Sequence, residues 1–176
     1  MRRLFVLGQT DPRIMALMET MIPVSLVISG SIAIVELLAW IIPDVAALLP
    51  APWQLMKANT AMAALLCTVS AELNRRGNKI PSLVFERLCA IAVVVLATSA
   101  LLQHWTGFGA GLSTLMAEDT ASPQPGLMSM QSAITFLLLG TAQLVDIRRQ
   151  NYLGHIIDVF HITLVILTFV FVAGYI

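Results

Sequence analysis

Charge is what this chain has least of. Lys, Arg, Asp and Glu make up 11% of its 176 residues, ten basic against ten acidic, and no basic tract is present. That balance excludes a nucleic-acid binder, which needs Lys and Arg gathered on one face to meet phosphate. Cysteine is almost missing as well: Cys67 and Cys89 both fall inside apolar runs, which excludes a disulfide-stapled extracellular domain and leaves them as small packing residues. There is no CxxC, no HExxH, no phosphate-binding glycine loop and no nucleophile elbow. The chain is therefore read as a non-enzyme without a cofactor. His104, His155 and His161 are the only histidines, and no metal site is expected from them, because His104 falls at the opposite membrane face from the other two.

What the chain has in abundance is hydrocarbon. It is 58% hydrophobic, with a mean hydropathy of +0.86, outside the range of soluble globular domains. The apolar residues lie in blocks that match the roughly 20 residues needed to cross a hydrocarbon core of about 30 Å. The fold class expected is all-α, a polytopic membrane helical bundle with about five transmembrane spans near 22–42, 54–74, 83–104, 127–146 and 156–176. Residues 1–19 are read as a cytoplasmic leader and residues 20–176 as the helical transmembrane domain.

Orientation follows from the basic residues, since short loops that carry Lys and Arg stay on the cytoplasmic side. Arg2, Arg3, Arg13, Arg75, Arg76, Lys79, Arg87, Arg148 and Arg149 share one side, and Lys57 is the single exception. The amino terminus is thus expected inside, in a bacterial inner (cytoplasmic) membrane crossed several times. Trp40, Trp53 and Trp105 fall at the outer ends of the first three spans, where indole rings favour the headgroup region.

A displacement of 72 residues lays "LMKANTAMAALL" (55–66) on "LMSMQSAITFLL" (127–138) and Arg76 on Arg148, which points to an internal two-helix repeat. The repeated box holds Met56, Lys57, Asn59, Thr60 and Ala61 in its first copy. The second holds Met128, Ser129, Gln131, Ser132, Ala133 and "FLLLG" at 136–140. This box resembles that of the multi-helix membrane sensor region found in bacterial signalling proteins ahead of PAS, histidine-kinase or diguanylate-cyclase domains. The resemblance covers roughly residues 20–176. Ala58 and Met130 stand where the family pattern favours proline, and Gln131 stands where it favours asparagine. It implies a membrane sensor region truncated before, or lacking, its cytoplasmic output domain.

The candidate ligand-binding residues are Glu36, Lys57, Asn59, Thr60, His104 and Gln131, all expected at one depth as the lining of a polar cup open to the outer side. Two readings of them stand side by side. In one, Glu36 and Lys57 are the charged elements of a site for a small ligand, a quinone headgroup or an ion. In the other, the amides and hydroxyls bond between helices or cap them, and Lys57 snorkels. Two functions follow: a non-catalytic sensor or input module of a signalling protein, or an accessory transmembrane subunit of a larger respiratory or photosynthetic complex. The partners expected are the lipid bilayer and either other membrane proteins or the missing output domain, and homo-oligomerisation stays open.

Overall fold

A computed structural model describes residues 12–49, 56–76, 80–107 and 126–144. The secondary structure of the described residues is all helix: α1 (Pro12–Ile41), α2 (Pro43–Leu48), α3 (Ala58–Arg76), α4 (Ile80–Thr106) and α5 (Met130–Leu144). Two stretches, Glu19–Ile41 of α1 and Ser82–Thr106 of α4, are long and apolar enough to cross a membrane; α5 is apolar but shorter. The block expected at 156–176 lies outside the described residues.

Local chemistry sets the helix ends. α1 starts on a proline, which suits a first turn, and begins ten residues before the span expected at 22–42, so residues 12–19 are helical. Pro23 sits inside it without ending it, as membrane helices allow when neighbours re-satisfy the freed carbonyl. Ile42 is extended (φ −120°, ψ 105°), the conformation imposed on a residue before proline, and Pro43 restarts the chain as α2. At the far end of α4, Gly107 turns left-handed (φ +70°) while its N–H closes the last turn on the Gln103 carbonyl at 3.0 Å. Ser129 caps α5: the Ser132 N–H donates to Ser129 Oγ at 3.1 Å.

α3 is the hub. It packs against α1 on one side and against α4 and α5 on the other, while α4 also packs on α5. From Ala58 to Leu73 no residue of α3 is exposed. α1, by contrast, leaves Leu17, Met21, Val27, Ile28, Ile34 and Ile41 on the outside and buries a narrow stripe of Gly30, Ala33 and Glu36. The weakest hydrophobic helix is thus the enclosed one, and the most uniformly apolar helix faces outward, the inverse of what a water-solvated bundle would favour.

The seams run antiparallel. Across α3 and α4, Ser70 Oγ donates to the Glu86 carbonyl at 3.2 Å. One turn from that bond on each helix lie the buried free thiols of Cys67 and Cys89, at the packing positions expected for them. Towards the end where α3 begins, Ala63, Ala100, Leu127, Met128 and Ala133 make a compact core, with Leu96, Leu101 and Phe136 against it.

Candidate functional site

The polar box gathers at one end of the bundle, where α1 and α4 finish and α3 and α5 begin. Among the described residues, three side-chain hydrogen bonds that join elements at that end each finish on a main-chain carbonyl. The Trp40 indole Nε1 donates to the Met56 carbonyl at 3.0 Å. Asn59 Nδ2, buried, donates to the Gly126 carbonyl at 2.9 Å. His104 Nε2 lies 3.0 Å from the Met128 carbonyl; because a carbonyl only accepts, that nitrogen carries the proton.

Met56 and Met128 are equivalent positions of the repeated box. Each therefore receives a ring N–H from the end of the long helix that precedes it, Trp40 on α1 and His104 on α4. The agreement continues along both boxed helices. The Ala61 N–H bonds to the Lys57 carbonyl at 3.0 Å and the Ala133 N–H to the Ser129 carbonyl at 2.9 Å, and Ala61 and Ala133 are each fully enclosed. Further along, a Cβ on Gly30 of α1 would come within 3.2 Å of Thr68 Cγ2, and a Cβ on Gly140 of α5 within 2.9 Å of Val94 Cγ2 of α4. Gly140 is the box equivalent of Thr68, and Val94 precedes His104 by the interval that separates Gly30 from Trp40. The structural match is thus between the hairpins α1–α3 and α4–α5, with Gly, Ala and Glu at 30, 33 and 36 answered by Val94, Ala97 and Ala100.

The six candidate residues divide on this frame. Asn59 and His104 are brought together, both fastening the 126–128 segment. Glu36 is 3% exposed in the α1–α3 seam, between the Gly30–Thr68 contact and the Trp40–Met56 bond. It makes no hydrogen bond or ion pair with any described residue, and none joins it to Lys57. Lys57 and Thr60 are half-buried at the start of α3. Gln131 stands apart on the exposed side of α5, with its main-chain carbonyl taking the Thr135 hydroxyl at 2.9 Å.

The hydrogen-bonding reading of the box therefore describes Asn59 and His104, and Glu36 is left as the polar group whose burial no described contact accounts for. Sequence reasoning treated Trp40 as a lipid anchor and did not find its bond. A signal was available in the pairing of two box methionines with a ring nitrogen at the end of each preceding helix. Gln143, whose Nε2 donates to the Cys67 carbonyl at 3.1 Å, also went unnoticed.

At the other end of α3, Glu72 accepts from Arg75 Nε at 2.7 Å and Nη2 at 2.8 Å, and from Arg76. Among the described residues no three His, Cys, Asp or Glu side chains gather as a metal site would require. No protein-family model, no curated protein and no solved structure matches this chain.

Proposed function

We propose that this protein is a non-catalytic sensor or input module of the bacterial inner membrane, crossing it five times with the amino terminus inside and the box end of the bundle facing outward. The observation that carries the proposal is Glu36, a carboxylate enclosed in a helix seam of a membrane bundle with no bonded partner among the described residues. Ionisable groups held at such cost in membrane helices serve ligands, ions or protons. α3 adds the means of transmission: it begins at the site and ends in half-buried Glu72 paired with the exposed Arg75 and Arg76, on the side proposed as cytoplasmic.

The test is a fluorophore on a single cysteine placed at exposed Asn74, with Cys67 and Cys89 changed to serine and the full chain in lipid nanodiscs. Changing the pH or sodium content of the medium is expected to shift the emission of the parent and to leave that of Glu36→Gln unmoved. A parent that does not respond contradicts the sensor reading.

A second reading draws on the outer flank of α1, where Ser25 and Ser29 are exposed among Leu17, Ile22, Ile28 and Ile32. Hydroxyls on an apolar helix suit contact with another membrane helix, which is what an accessory subunit offers a larger complex. Purification from native membranes in mild detergent separates the two: co-elution in fixed ratio with a larger assembly supports the subunit and counts against the free-standing sensor.

A further inference from the structure

The two hairpins differ in the residue a turn before the ring donor, and Lys57 of the first box is answered by Ser129 in the second. In α4–α5 the residue a turn before the ring donor is Ala100, 5% exposed in the core with Met128 and Ala133. In α1–α3 the residue a turn before Trp40 is Glu36, 3% exposed. Both ring-to-carbonyl bonds form at 3.0 Å, so the fastening works equally well with a methyl group or a carboxylate below it. The carboxylate is not a requirement of the hairpin.

Its presence has an electrostatic consequence. A carboxylate taken out of water costs several kcal/mol unless positive charge accompanies it. The charged groups on the described elements around Glu36 do not supply that charge. α1 carries Arg13 in its first turn and Glu19, exposed, both several turns away; α2 carries Asp44, exposed; Lys57, just before α3, is not ion-paired with Glu36; and the far end of α3 carries Glu72 tied to Arg75 and Arg76.

We infer that Glu36 is a binding site for a single positive charge, a proton or a small monovalent cation, reached from the box end of the α1–α3 seam. This deepens the sensor proposal by naming its ligand and rests on that reading of the site. The seam is held on either side of Glu36 by the Gly30–Thr68 contact and the Trp40–Met56 bond. Loading or emptying the site therefore changes the charge between two helices without breaking either fastening.

The experiment is carbodiimide labelling of the full chain in nanodiscs, with adducts located by mass spectrometry. A protonated carboxyl adds across a C=N bond of dicyclohexylcarbodiimide and rearranges to a stable N-acylurea. Its proton ends on nitrogen and no group leaves. After dialysis into a buffer whose only cation is a bulky quaternary ammonium, an adduct is expected on Glu36 and is lost in Glu36→Gln. If the ligand is a proton, labelling falls as the pH is raised and ignores sodium. If it is a metal cation, sodium or potassium protects at fixed pH.

No adduct at any pH, or an adduct indifferent to both pH and cations, overturns the inference. So does a fall in the unfolding midpoint of both Glu36→Gln and Glu36→Ala, because the carboxylate would then be structural. Labelling of Glu36 together with a silent reporter at Asn74 removes the sensor reading and leaves the site standing.

Discussion

The hairpins α1–α3 and α4–α5 use the same fastening at the same place and fill their seams in opposite ways. In the first, the glycine is on the long helix and Thr68 of the boxed helix leans into it. In the second, the glycine is on the boxed helix and Val93 and Val94 of the long helix lean into it. The first seam holds a carboxylate where the second holds a methyl group. The common elements are thus neutral hydrogen bonds and small residues, which close an apolar hairpin without charge. What the first seam adds is a buried carboxylate that the second does without.

The strongest way to break the comparison is at the glycines. A Cβ at Gly140 meets Val94 at 2.9 Å, Val93 at 3.2 Å and the Ala90 carbonyl at 3.3 Å, whereas at Gly30 the contact among the described residues is a terminal methyl of Thr68. A side chain can rotate away, but a neighbouring backbone cannot. Gly140→Ala is expected to cost about 1–3 kcal/mol, the range for overpacking, and Gly30→Ala clearly less, as measured by reversible unfolding in mixed detergent–SDS micelles. Equal losses would mean that the two seams are not the reciprocal pair described.

Next comes the bond that ties the first hairpin to the second. Asn59→Leu removes the donor to the buried Gly126 carbonyl and is expected to lower stability by about 1–2 kcal/mol. Hydrogen exchange at the amides around residues 126–129 should rise in that variant, and an unchanged rate would show that Asn59 does not hold the segment.

Smaller still are the ring donors. Trp40→Phe and His104→Phe each lose one ring N–H to a box carbonyl, worth on the order of 0.6 kcal/mol in a membrane protein. Their losses in the same unfolding assay should agree within error if the positions are equivalent, apart from the larger packing surface of Trp40. The smallest effect is expected from Glu72→Gln: its partners Arg75 and Arg76 are exposed, where ion pairs contribute little.

Much of the helical content could be read from the sequence, because runs of apolar residues of membrane length leave few alternatives. The turn at Ile42–Pro43 and the end of α4 at Gly107 carry local signals of the same kind. The start of α1 did not, since Arg13, Glu19 and Thr20 lower the hydropathy of a stretch that helical hydrogen bonding nonetheless continues through. Nor could hydropathy show that α3 lies at the centre: its polar content reads as weakness in a single helix, and only the packing of α1, α4 and α5 around it explains why it is tolerated. The role of Asn59 depends on a carbonyl 67 residues away, which no local pattern encodes. The sequence grouped Glu36 with the box residues by expected depth, but the division between Asn59 and His104, which fasten helices, and Glu36, which does not, required the tertiary contacts.

The central claim is that the box end is fastened by neutral hydrogen bonds and that Glu36 stands outside that fastening. The most direct measurement is the unfolding free energy of Glu36→Ala beside that of Asn59→Ala, in the same micelles at neutral pH. The expected result is a stability for Glu36→Ala equal to or above the parent and a loss for Asn59→Ala. A destabilised Glu36→Ala with an unaffected Asn59→Ala would contradict it.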